Sequence, residues 1–134
     1  MNWIDTHAHL TYPDYPDPIE AVLDRSRAAG VTRWITVGTD AEHNRKAIDL
    51  AARFEGMYAV VGIHPHHASE ASDDDLALLA DQARENKVVA IGETGLDFHY
   101  TFSTKDRQVE VFRAELTLAA ERNLPVVVHS RDAF

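Results

Sequence analysis

Six of the eight histidines stand where an apolar run gives way to polar residues: His7 and His9 in IDTHAHL, His64, His66 and His67 in VGIHPHH, and His129 in PVVVHS. His7 and His9 are one residue apart, so in extended backbone both imidazoles project from the same face and can meet on one ion. Glu93 directly follows the apolar run VVAIG, where a buried carboxylate needs a metal or an arginine to neutralise it. Together with His129 this gives imidazole nitrogens and a carboxylate, a donor set that suits zinc, manganese or iron and, less readily, magnesium. Plainer readings exist for each residue: Glu93 in a salt bridge with Arg131, and His129 as a core histidine with a hydrogen-bonded ring. Those readings require separate coincidences at positions that all close apolar runs. Nearby, His64 could touch substrate or simply belong to a solvated turn around Pro65. Arg131 has a planar fork that matches phosphate oxygens, unless it pairs with Glu93 or Asp132. Asp97, in GETGLD, either shapes its loop or supports a metal ligand from behind.

Composition narrows the chemistry further. The chain of 134 residues has 13 Lys and Arg against 22 Asp and Glu, a net charge of −9, so a polyanion must be held locally and not by a broad basic surface. There are no cysteines, which removes disulfide scaffolds, thiolate metal sites and thiol nucleophiles together. No GxxxxGK[ST] stretch and no serine nucleophile elbow occur. Metal-assisted hydrolysis remains, in which one or two divalent ions activate water and neutralise charge developing on the attacked group. No apolar run approaches the ~18 residues of a membrane span, and the N-terminus lacks a basic stretch followed by an apolar one, so a cytoplasmic location is expected.

The elements that must position these residues alternate strictly. Buried strands are expected in the stretch to Ile4 and over 32–38, 57–63, 88–92 and 125–129. Between them, one helix should begin at Asp17-Pro18 with Asp17 as its cap and stop at Gly30. A second should open at Asp40 and run through Ala47, Ile48, Ala51, Ala52 and Phe54, and a third should open at Ser72 and run through Leu76, Leu79 and Ala83. The fourth is expected from Lys105 to Arg122 with Phe112, Leu116 and Ala119 inward. Such alternation implies a parallel sheet with helical crossovers in a single domain over residues 1–134.

The spacing of strand-end residues gives units of about 30 residues, so eight would need about 244, close to the ~250 of a (β/α)8 barrel. The chain therefore reads as about the first five βα units of a truncated barrel, with a complete five-stranded doubly wound sheet as the rival. As an isolated piece it would expose strand edges, so association or poor order is expected.

Five linked motifs then match a known family. IDTHAHL at the N-terminus, VGIHPH at 61–66, AIGETGLDF at 90–98, the helix with Gln108 and Phe112, and LPVVVHSRDA at 124–133 together resemble the TatD-type metal-dependent deoxyribonucleases of the amidohydrolase-like barrels. The resemblance implies that His7 and His9 bind one metal, that Glu93 bridges two, and that His129 binds the second. It also implies a further histidine and aspartate on later strands, so the fragment alone should be impaired. Ala8, where cysteine is frequent, Thr94 and His99 depart from the pattern without removing a ligand.

The expected function is hydrolysis of phosphodiester bonds in DNA at strand ends, with two divalent ions (Mg, Mn or Zn) and with Arg131 and His64 on the substrate. Two alternatives stay open: a metal-dependent esterase, lactonase or amidohydrolase of the same superfamily, and a non-catalytic five-stranded ligand-binding or signalling module.

Overall fold

The protein is described by a computed structural model covering residues 1–134. Five strands and four helices alternate: β1 (Trp3–Ala8), α1 (Ile19–Ala28), β2 (Val31–Val37), α2 (Ala41–Arg53), β3 (Met57–Val61), α3 (Asp73–Gln82), β4 (Val88–Asp97), α4 (Lys105–Arg122) and β5 (Val126–Arg131). All pairings are parallel and the spatial order is β1-β2-β3-β4-β5. A doubly wound sheet reverses its strand order in the middle; this one never does, and the doubly wound rival falls. Right-handed crossovers between strands in sequential order place every helix on one face, as in the wall of a (β/α)8 barrel.

Side chains alternate across that wall. Trp34, Ala59, Val61 and Ile91 join Leu23, Ile48 and Leu79 in the core between sheet and helices. Val37, Val60 and Ala90, with Ile35, Val89 and Val127 packed on them, line the opposite, inner face.

Helix starts follow local chemistry. Asp40 accepts from the His43 backbone N–H, Ser72 and Asp75 form a capping box, and Thr104 accepts from the Arg107 N–H. The first helix differs from expectation: Pro18 is its N-cap with no side-chain bond, and Asp17 instead pairs with Arg25 at 2.9 Å. The proline's preset φ starts this helix without a carboxylate, and the guanidinium of Arg25 about two turns inside competes for Asp17. The inward face of α4 also differs. Gln108, Val111, Glu115 and Ala119 are buried, whereas Leu116 is exposed and Phe112 half-buried. Hydrophobic periodicity passes over that stripe because two of its four members are polar.

Strands β1, β4 and β5 run further than their apolar cores. Pairing continues through Gly95–His129 to Asp97–Arg131, so residues expected in loops lie on the ladder. The register slips between Gly92 and Thr94, which leaves Glu93 without a partner on β5, and again between Asp5 and Ala8, the stretch that contains His7. Irregularities of this kind re-aim a side chain. Gly92 permits the close approach: with φ at 151°, a Cβ there would lie 2.6 Å from the Val127 carbonyl oxygen.

Candidate metal centre

At the C-terminal ends of the strands, residues from β1, β4 and β5 meet. His7 Nε2 and His9 Nε2 are 3.2 Å apart, and Glu93 Oε2 lies 3.5 and 3.6 Å from them. The other carboxylate oxygen, Glu93 Oε1, faces His129 Nδ1 at 3.2 Å. Glu93 thus stands between two imidazole groups with one oxygen turned to each.

Hydrogen-bond partners fix which ring nitrogens carry hydrogen. His9 Nδ1 is 3.2 Å from the Val37 carbonyl oxygen. A carbonyl only accepts, so Nδ1 donates and Nε2 presents its lone pair toward His7 and Glu93. His129 Nε2 donates to Asp97 Oδ2 at 2.9 Å, and His66 Nε2 donates to the same oxygen at 2.8 Å. Burial alone would raise the Asp97 pKa. Bonds from His66, His129 and the backbone N–H groups of Tyr100 and His99 reverse this and hold it well below the usual carboxylate range. Asp97 is therefore an acceptor that takes the His129 Nε2 hydrogen, which leaves His129 Nδ1, an acceptor in that tautomer, against Glu93 Oε1. Two acceptors in contact require a cation or a proton between them. The chemistry of this donor set fits a divalent ion, with Asp97 orienting His129 in the carboxylate–histidine arrangement of metal sites.

His64 is brought to the same place but offers different chemistry. Donor atoms of His64, Glu93 and His129 lie within 4.8 Å of one another, as do those of His7, His9 and Glu93. His64 Nδ1, however, accepts from the His66 backbone N–H at 3.1 Å, so the hydrogen of the neutral ring sits on Nε2. Burial, and then the neighbouring rings of His66, His129 and His67, push its pKa down to about 3. The side chain is a neutral N–H donor and presents no lone pair to an ion.

Arg131 pairs with neither of its expected partners. Its guanidinium lies over the Tyr100 ring at 5.0 Å, and Asp132 binds His99 at 3.1 Å. The salt-bridge reading of Glu93 therefore fails, and histidines take the place of arginine around it.

Three buried polar residues hold these strand ends: Asn44 and Glu115, which sequence reasoning missed, and Gln108, which it named in a motif without assigning a role. Asn44 of α2 donates to the Gly62 carbonyl at 2.9 Å and accepts from its N–H at 3.1 Å. Gln108 of α4 does the same for Asp97, at 2.9 and 2.8 Å. Glu115 accepts from the Ile63 N–H at 2.7 Å and from the Thr94 hydroxyl, so it fastens the peptides next to His64 and Glu93. Burial pushes its pKa up to about 8, against the opposing pull of the Thr94 and Ile63 bonds. For Gln108 and Glu115 the signal is a polar residue recurring on the α4 stripe that also carries Val111 and Ala119; Asn44 on α2 has no such signal.

Parallel strands in chain order, with a His-x-His pair, a bulged glutamate and a histidine gathered at their C-terminal ends, define a part of a (β/α)8 barrel with a metal-type site. Comparison places it more narrowly. The chain belongs to the TatD related DNase family, whose pattern it matches over residues 4–134. It is 43% identical over 129 residues to an uncharacterized metal-dependent hydrolase, YabD, of Bacillus subtilis, covering 96% of this chain and 51% of that protein. It is also 43% identical to the 3'-5' ssDNA/RNA exonuclease TatD of Cronobacter sakazakii, covering 96% of this chain and 49% of that one. Among solved structures it resembles YJJV, a TatD homologue from Escherichia coli, with a TM-score of 0.90 and 37% identity over 97% of this chain and 51% of the other. The chain thus spans about half the length of the curated relatives it matches.

Proposed function

We propose that the protein containing this chain is a metal-dependent phosphodiesterase that removes nucleotides from the ends of single-stranded nucleic acid, with DNA as a substrate. The observation that carries the reading is the set of ligand atoms gathered around Glu93: His9 Nε2, with its lone pair turned inward, and His7 Nε2 on one side, His129 Nδ1 on the other. In this reading His7, His9 and Glu93 hold one divalent ion, and Glu93 and His129 contribute to a second. Ions bound there would supply Lewis acidity, neutralising charge at the attacked phosphorus and activating the attacking water.

The chain's other residues then have defined work. His64 donates Nε2–H to a phosphate oxygen, and its neutrality keeps it from repelling the ions. Arg131, free of carboxylate partners, holds a further phosphate oxygen. Asp97 and His66 keep His129 in the tautomer that turns Nδ1 inward. The exonuclease name of the Cronobacter relative supports the choice of substrate.

The test uses the full-length protein, stripped of metal and reconstituted with magnesium, manganese or zinc. Single-stranded DNA and RNA carrying an end label should lose terminal nucleotides only with metal present, and Glu93→Gln should lower turnover at least about 100-fold. Untouched nucleic acid alongside rapid hydrolysis of aryl esters would overturn the proposal in favour of an esterase of the same superfamily.

A further inference from the structure

The loop after β4 carries a feature that hydrolysis at Glu93 does not use. Tyr100 and Phe102 stack at 5.3 Å with their planes 29° apart, and both stay exposed, Phe102 at 64%. Single exposed aromatics need no explanation, but these two adjoin the centre through His66. The His66 ring lies 5.0 Å from Phe102 and 5.4 Å from Tyr100, and its Nε2 shares Asp97 with His129.

The pair is also held in place. Asp97 Oδ1 accepts from the Tyr100 N–H at 3.2 Å. On the other side of Phe102, buried Ser103 donates to the His66 carbonyl at 3.0 Å and accepts from the Ser69 N–H at 2.9 Å. The exposed Phe102 ring and the Tyr100 ring stacked on it are therefore fastened at both flanks, so a ligand that settles on Phe102 has little ordering cost left to overcome. The Arg131 guanidinium, two residues after His129 on β5, lies over the Tyr100 ring and adds a positive charge to the group.

We propose that the Tyr100–Phe102 stack is a platform for a nucleobase of single-stranded nucleic acid, beside the phosphate held at the metal centre. This rests on the phosphodiesterase reading. A base offers a flat π face and its phosphate offers the anion, which matches stacked rings with a guanidinium at one end. A base inside a duplex has both faces covered, so the platform selects unpaired ends. It is tolerant of sequence, because every base has such a face.

The experiment compares full-length wild type, Phe102→Ala and Phe102→Trp on a single-stranded oligonucleotide and on the same strand with abasic terminal positions. The alanine variant should raise KM on the intact strand about tenfold with kcat nearly unchanged, and the tryptophan variant should restore it. On the abasic strand, wild type and the alanine variant should be equally weak. An equal loss on both strands, or no loss on the intact one, overturns the platform while leaving the hydrolase reading intact. A wild type that cleaves neither strand overturns the phosphodiesterase reading and the platform with it.

Discussion

Asp97 shows how much of the centre depends on a residue that need not touch an ion. One of its oxygens accepts from both His66 and His129, and the other accepts from the N–H groups of His99 and Tyr100. Asp97→Asn would place an amide N–H against two ring N–H groups or lose one of the two bonds, so His129 is free to adopt the other tautomer. Metal affinity of the full-length protein, read by titration calorimetry, should fall about 10- to 100-fold; unchanged affinity would remove Asp97 from the account. Glu115 gives a prediction of the opposite sign. Its folded pKa, about 8, lies above its ordinary value of 4.5, so the folded state retains a proton that the unfolded chain releases. Stability from this group is complete below about pH 4.5 and is lost as pH rises toward about 8. Denaturant unfolding of wild type should weaken over that interval relative to Glu115→Gln, which has no proton to lose; parallel profiles would contradict it.

At the scale of elements, α2 and α4 do more than cover the sheet. Asn44 and Gln108 pair backbone groups of Gly62 and Asp97 that the strand ladder leaves free, each with one donated and one accepted bond. Asn44→Ala leaves the buried Gly62 N–H and carbonyl unpaired and should cost about 2–4 kcal/mol of stability in denaturant unfolding; a loss under about 0.5 kcal/mol would show that water replaces the side chain. These clamps also mark the limit of what the sequence made legible. The strand-and-helix alternation was readable because apolar runs of five residues or so sit between capped helices, and Asp40, Ser72 and the 105–122 helix lie where the pattern put them. That His7, His9, Glu93 and His129 gather at one end of the sheet was readable because polar residues closing apolar runs have few structural uses. Asn44 and Glu115 were not, and Gln108 stood in a motif with no role assigned, since a buried polar side chain looks like a surface one until its partner, many residues away, is known. The Asp17 cap failed for a related reason: Arg25 is brought to it only by the turn of the helix itself.

For the whole molecule, the sheet order, all parallel and never reversing, decides the architecture, and the same order leaves β1 and β5 as edges. Trp3, Ile4 and Val128 are more than half exposed there. A 134-residue chain produced by itself should self-associate through these edges, seen as a rising apparent mass with concentration in sedimentation; a monomer with cooperative unfolding would contradict that. Net charge of −9 sets the wider electrostatic frame. Under the proposed function, attraction for a polyanion would fall to ions held at the centre, to Arg131 and to His64, which would favour a strand end over a long duplex. No helix is long and apolar enough to cross a membrane.

The most direct test of the account is anomalous diffraction from crystals of the full-length protein grown with manganese or zinc. The account predicts one ion at about 2.0–2.3 Å from His7 Nε2, His9 Nε2 and a Glu93 oxygen, and a second ion bound by the other Glu93 oxygen and by His129 Nδ1. Occupied crystals in which Glu93 turns away from both histidine groups, or in which His129 binds through Nε2 with Asp97 displaced, would contradict it.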